Sequence, residues 1–216
     1  MEFFRLRSTH WRYFNYPLYV PEGQRKVLRV LSDQGVTGLT AELERLASLG
    51  SPWAASTLGY LSLLPSSSGN RDPARAMEYC AKAAADGDAY ALFVTGWARS
   101  LLTQDRVRAA ELMMASRKLR FAPATIALAF LAWPSADASL KMLNDAVTLR
   151  HKAAWAFRCG FFRTGRLGIG RQILGYVLTP FVRLQYALAA WIDPFSVGVV
   201  VLTITDKRPA FRSVGD

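Results

Sequence analysis

The apolar residues of this chain recur at helical spacing, and the clearest stretch is RDPARAMEYCAKAAADG, residues 71–87. Asp72 can cap a helix here, and Pro73 can occupy its first position because that position needs no backbone N–H. Gly87 suits the left-handed residue that ends a helix, and Asp88 can cap the helix that follows. The pattern therefore predicts two helices joined by a tight turn.

The same pattern of small residues occurs more than once. GSPWAASTLG at residues 50–59 and GDAYALFVTG at residues 87–96 share both glycines and an alanine at an offset of 37 residues. Residues 121–130 and 151–160 keep the spacing, although only the last segment regains a glycine. Each unit is preceded by an amphipathic stretch, so the sequence predicts a series of helical hairpins.

Glycine inside a helix costs about 1 kcal/mol relative to alanine, so its recurrence needs a structural reason. Close approach between helices supplies one, because a residue without a side chain lets the neighbouring backbone come near. Gly59, Gly96 and Gly160 are predicted to be such packing positions. The full set of predicted repeat-structural residues is Gly50, Gly59, Gly87, Ala91, Gly96 and Gly160.

These residues resemble the Sel-one-like repeat, a relative of the tetratricopeptide repeat. The matching positions in the second unit are Lys82, Ala83, Ala84, Gly87, Ala91 and Gly96, and those in the first are Gly50, Ala54, Leu58 and Gly59. The resemblance is strongest over residues 50–98 and extends over about 39–165. It implies an all-α fold, a short right-handed superhelix of three to four helix-turn-helix hairpins, and a role as an adaptor or scaffold.

Three parts are predicted along the chain. Residues 1–35 form an aromatic and basic N-terminal arm with a capping helix, residues 36–165 form the repeats, and residues 166–216 form a basic, hydrophobic C-terminal segment. The most apolar window, 184–205, contains Asp193-Pro194, which disfavours a membrane span. A hydrophobic helix ending near Ile192 and an extended run at 197–205 are predicted instead.

Positive charge is concentrated in the C-terminal third. The chain has 27 Lys and Arg against 16 Asp and Glu, a net charge of +11, and it has no acidic residue between Asp145 and Asp193. Basic residues alternate there with aromatic ones, which suits an anionic target. The candidate anion-binding residues are Arg150, Lys152, Arg158, Arg163, Arg166 and Arg171. A membrane surface is favoured over nucleic acid because an apolar stretch follows, and a solvated outer face of a core helix is the alternative.

No arrangement of residues typical of a catalytic or metal site is found. His10 and His151 have no acidic residue at a spacing that suggests a catalytic pair or a metal site, and no nucleophile motif occurs. Cys80 and Cys159 are isolated in apolar surroundings and are predicted to be reduced core thiols, with a disulfide between them as the alternative. We expect no enzyme activity, cofactor or metal.

The sequence therefore predicts a non-catalytic scaffold or adaptor that binds a protein partner in a bacterial multi-protein complex. The candidate partner-binding residues on the repeat surface are Trp53, Tyr60, Tyr90, Trp97 and Arg99, and burial of their rings in the core is the alternative. A second hypothesis is a peripheral membrane subunit of a polysaccharide-synthesis or transport assembly, anchored through residues 150–205. Since the N-terminal residues lack a secretory signal pattern, a cytoplasmic protein at or near the inner face of the membrane is expected.

Overall fold

Helices form all the regular secondary structure in the part of the chain that the structure describes. The computed structural model describes residues 35–63, 72–102, 106–131, 135–149 and 154–192. The helices are α1 (Gly35–Ser48), α2 (Pro52–Ser62), α3 (Pro73–Ala85), α4 (Ala89–Leu102), α5 (Arg106–Lys118), α6 (Ala122–Leu131), α7 (Ala136–Thr148), α8 (Ala154–Arg163) and α9 (Ile169–Ile192). The all-α prediction is confirmed for these residues. Residues 1–34 of the arm and capping helix predicted at 1–35, and the extended run predicted at 197–205, lie outside them.

Each helix packs against the next one along the chain, from α1 on α2 to α8 on α9, and α2 also packs against α4. Three residues join the helices within the pairs α1/α2, α3/α4 and α5/α6, at 49–51, 86–88 and 119–121. Because such short connections return the chain on itself, each pair is a helical hairpin.

The turn chemistry predicted for the α3/α4 hairpin is confirmed. The Asp72 carboxylate accepts a hydrogen bond from the Arg75 N–H at 2.9 Å, and Pro73 opens α3. Gly87 has φ +81°, the left-handed conformation that glycine adopts without strain. The Asp88 carboxylate accepts from the Ala91 N–H at 2.8 Å and caps α4.

The second helices α2, α4 and α6 form the inner part of the fold. Their buried side chains cover the whole circumference of each helix, as expected for helices without a polar face. The first helices α1, α3, α5 and α7 bury one side and expose the other. On the exposed side, Glu44 of α1 lies 3.9 Å from the Arg75 guanidinium of α3, and Arg117 of α5 pairs with Asp145 of α7.

The third hairpin is shifted by one residue from the predicted frame. Its left-handed turn residue is Arg120, with φ +63°, and not Phe121. Counted from Arg120, the residues equivalent to Ala91 and Gly96 are Ala124 and Ala129, which are both buried. The Ser139 hydroxyl of α7 donates to the Ala129 carbonyl at 2.8 Å, so this position also faces a neighbouring helix.

Gly59 and Gly96 are packing positions, as predicted. A Cβ at Gly59 would lie 2.6 Å from the Cys80 sulfur and 2.9 Å from the Ala76 carbonyl oxygen on α3. A Cβ at Gly96 would lie 3.0 Å from the Ala109 carbonyl oxygen on α5. Both glycines therefore let the following helix approach within backbone contact.

The packing role predicted for Gly160 is wrong. Gly160 is exposed on α8, and a Cβ there would meet nothing within 4 Å. Gly175 on α9 has that role instead, because its Cβ would lie 2.8 Å from the Phe162 Cβ and 3.0 Å from the Cys159 carbonyl oxygen. In the α8/α9 pair, the packing glycine thus lies on the second helix, α9, and not on the first.

Candidate interaction surface

The aromatic residues predicted to bind a partner lie in the core. Trp53 is 7% exposed, and Tyr60, Tyr90 and Trp97 are each 2% exposed. The Tyr60 and Tyr90 rings lie 6.3 Å apart between α2 and α4. These four rings fill the space between hairpins, so the prediction that they form a partner-binding surface is wrong, and the core alternative applies. Arg99 is half-buried near the end of α4.

The predicted anion-binding residues divide into three groups. Arg150 and Lys152 lie outside the described residues. Arg158 and Arg163 stack on aromatic rings: the Arg158 guanidinium lies 3.8 Å from the Trp155 ring centre, and that of Arg163 lies 4.9 Å from the ring centre of Tyr176. Partial burial lowers the pKa of Arg158. The third group, Arg166 and Arg171, is exposed around the start of α9.

A set of large apolar side chains is exposed along α9. Their exposed fractions range from 44% at Leu174 to 76% at Ile169. We call this set the α9 apolar face: Ile169, Ile173, Leu174, Tyr176, Val177, Phe181, Leu184 and Leu188. Monomeric proteins rarely expose a contiguous apolar patch made of so many large side chains.

The opposite side of α9, which packs on α8, is mixed: Gln172, Gly175 and Thr179 lie there together with the half-buried Leu178 and Val182. Gly175 gives the close contact with Cys159 and Phe162. The Gln172 side-chain amide donates to the Arg163 carbonyl at 3.3 Å, and the Thr179 hydroxyl donates to the Gly175 carbonyl at 2.6 Å. In an ordinary surface helix the apolar side faces the protein. Helix α9 departs from this pattern, because most of its large apolar side chains lie on the exposed side.

The sequence predicted attraction to an anionic target in this region, but it did not show which side of α9 faces the protein. A signal was present in the spacing of Gln172, Gly175 and Thr179, which lie on one side at intervals of three and four residues. A stripe of glycine and hydrogen-bonding residues marks a side that can contact another helix closely. Most of the large apolar residues of α9 then fall on the outside.

Both cysteine thiols are free and buried, as predicted. Burial raises the pKa of Cys80 to about 12, and burial also raises the pKa of Cys159. Among residues 35–63, 72–102, 106–131, 135–149 and 154–192, no group of three or more His, Cys, Asp and Glu residues is placed to hold a metal ion. No helix within these same residues has the length and hydropathy needed to cross a membrane.

Comparison with known proteins gives no relative. No family model, curated protein or solved structure matches the chain. The interpretation of the α9 apolar face therefore rests on its own geometry and chemistry.

Proposed function

We propose that this chain is a non-catalytic interaction protein, a short right-handed superhelix of Sel-one-like hairpins that acts as a scaffold in a bacterial multi-protein assembly. The hairpins pack on one another in series, and the α9 apolar face is the surface through which the chain is held in that assembly. The proposal places the protein in the cytoplasm.

The exposure of the α9 apolar face is the observation that carries this proposal. Exposing eight large apolar side chains to water is unfavourable, at roughly 25 cal/mol for each Å² of apolar surface left uncovered. Covering them with a partner recovers that free energy. The hydrogen bond from Gln172 and the close contact at Gly175 favour the orientation in which those side chains point outward.

The repeats contribute a second surface. Because the aromatic residues of α2 and α4 are buried, a protein partner of the repeats would contact the exposed sides of α1, α3, α5 and α7. These sides carry charged pairs such as Arg108 with Glu111 at 2.7 Å and Arg45 with Glu42 at 2.6 Å. Exposed pairs of this kind add little stability, so replacing them by pairs with a partner's charges costs little.

Affinity purification of the tagged full chain from the native host tests the proposal. We compare the unmodified protein with the double variant Ile173→Gln/Val177→Gln, whose positions are 58% and 55% exposed on the α9 apolar face. The matched control is Leu49→Gln/Val107→Gln, with positions 70% and 72% exposed on the hairpins.

We expect the unmodified protein and the control to retain the same associated components, and the α9 variant to lose them. Equal recovery of those components by all three proteins would contradict the proposal. Circular dichroism and thermal unfolding of each variant show whether the fold is retained.

A further inference from the structure

We propose that the α9 apolar face docks on an anionic phospholipid surface, with α9 lying in the plane of the headgroups and its apolar side chains at the acyl boundary. This inference rests on the proposed function, since it names what covers the face that holds the chain in its assembly. The lipid surface is identified from the shape of the face and from the sign of the charges around it.

The face is long and broad. Its residues extend from Ile169 to Leu188, which corresponds to roughly 29 Å along the helix axis. At about 100° per residue, seven of the eight lie within an arc of about 140°, and Tyr176 lies just beyond the edge at Ile169. Helices that pair in a coiled coil use a narrower seam of two positions in seven. A broad face that continues over five turns suits the flat interface of a bilayer.

The surrounding charge excludes a second copy of the chain as the favoured occupant. From residue 146 to residue 192 the sequence contains no Asp or Glu, and each copy carries a net charge of +11. Two α9 faces in contact would bring basic surfaces together with no acidic group to pair them. Such like-charge contact opposes association, whereas an anionic surface attracts the same residues.

The basic residues lie where an interfacial helix needs them. Arg166 and Arg171 are exposed around the first turn of α9, and the Arg163 guanidinium stacks on the ring of Tyr176 at the border of the apolar face. An aromatic ring with a cation above it is apolar on one side and polar on the other, which suits the depth of the headgroups. Each basic residue close to an anionic membrane increases partitioning about fivefold.

An acidic protein is the other anionic occupant, and the face fits it less well. Protein interfaces surround an apolar centre with polar groups of both signs. Here the charged residues from 146 to 192 are all basic. A single sign of charge beside a broad apolar face is the pattern of helices that lie on anionic lipid.

Co-sedimentation with vesicles tests the inference, using the full chain and vesicles of phosphatidylcholine alone or with phosphatidylglycerol. The apolar variant is Ile173→Gln/Val177→Gln, with Leu49→Gln/Val107→Gln as its control. The charge variant is Arg166→Gln/Arg171→Gln, and its control is Lys118→Gln/Lys141→Gln, which removes the same charge from exposed positions on α5 and α7.

We expect binding to vesicles that contain phosphatidylglycerol, weaker binding at high salt, and little binding to phosphatidylcholine alone. The apolar variant should lose at least tenfold in partition coefficient. The charge variant should lose roughly twenty-five-fold, from two residues at about fivefold each. Both controls should stay within about threefold of the unmodified protein, since their positions lie away from α9.

Three results would overturn the lipid inference. In the first, both kinds of vesicle bind equally. In the second, vesicles do not bind, yet the apolar variant still loses the host components, which leaves the proposed function intact. In the third, sedimentation velocity shows a dimer that the apolar variant dissociates, which identifies a second copy as the occupant. Retention of both vesicle binding and host components by the apolar variant would refute the proposed function as well.

Discussion

A single methyl group added at Gly59 should destabilise the protein, while the same group added at Gly160 should stabilise it. Both glycines lie inside helices, so Gly→Ala removes backbone freedom from the unfolded chain in each case and favours folding by roughly 0.5–1 kcal/mol. The two positions differ in what the new Cβ meets, which makes them a matched pair.

The cost at Gly59 follows from the contacts. Its Cβ would lie 2.6 Å from the Cys80 sulfur, 2.9 Å from the Ala76 carbonyl oxygen and 3.2 Å from a Val94 methyl carbon. The carbonyl belongs to the α3 backbone and cannot move without shifting that helix. Overpacking of this kind costs about 1–3 kcal/mol, so the net loss in Gly59→Ala is expected to be about 1–2 kcal/mol. At Gly160 the new Cβ meets nothing within 4 Å, so the stabilisation from the reduced backbone freedom of the unfolded chain is retained.

Thermal unfolding followed by circular dichroism, with urea titration as a second measurement, compares the two variants. For a chain of 216 residues, 1 kcal/mol corresponds to roughly 2–4 °C in Tm. Gly59→Ala should therefore lower Tm by roughly 2–8 °C, and Gly160→Ala should raise it by roughly 1–4 °C. A rise in both variants would refute close packing at Gly59, and a fall in both would refute open space at Gly160.

Three further predictions concern single groups. Asp88→Ala should lower the free energy of unfolding by about 1 kcal/mol in urea titration, because the Ala91 N–H loses its cap. Ser139→Ala should cost about 1 kcal/mol in the same assay, because its hydroxyl donates to the Ala129 carbonyl. Cys80, whose pKa burial raises to about 12, should react with Ellman's reagent at pH 8 only after unfolding. Since the unfolded chain loses the Cys80 proton at a lower pH than the folded protein does, the free energy of unfolding should fall as pH rises from about 9 toward 12.

Local turn chemistry was predictable because the residues that define it lie within a few positions of one another. Asp72, Pro73, Gly87 and Asp88 each have one conformational preference that a helix end uses, and the structure places all four as the sequence indicates. No long-range contact is needed to decide these positions. This is why the α3/α4 hairpin could be predicted nearly to the residue.

The register of the third hairpin could not be predicted in the same way. Its turn residue is Arg120, and a non-glycine residue rarely adopts a positive φ. Because this turn contains no glycine, only tertiary contacts identify its left-handed residue. Alignment of the repeats by sequence alone therefore assigned that position to Phe121. Sequence alignment also placed Gly160 at a packing position that the structure does not give it.

Burial of the aromatic residues could have been predicted. The segment AYALFVTGWA, residues 89–98, has apolar or small residues around the whole helix, which is typical of a helix covered on every side. Tyr90 and Trp97 lie seven residues apart and so share one side of α4, but the absence of a polar side means that this common side does not reach solvent. The position of Tyr90 and Trp97 on one side of α4 therefore indicated a core contact and not a partner-binding surface.

The distribution of polar and apolar residues around α9 leads to the opposite conclusion, namely that its apolar side reaches solvent. End helices of a stacked helical array keep their outer side polar, because nothing packs on it. If α9 served only to cap the hairpins, Gln172 and Thr179 would face water, and residues such as Val177 and Leu184 would face α8. The structure has them the other way round, with Val177 55% and Leu184 60% exposed. Under the function proposed above, the outer side of α9 is covered in the working assembly, and the acid-free sequence around it favours an anionic cover.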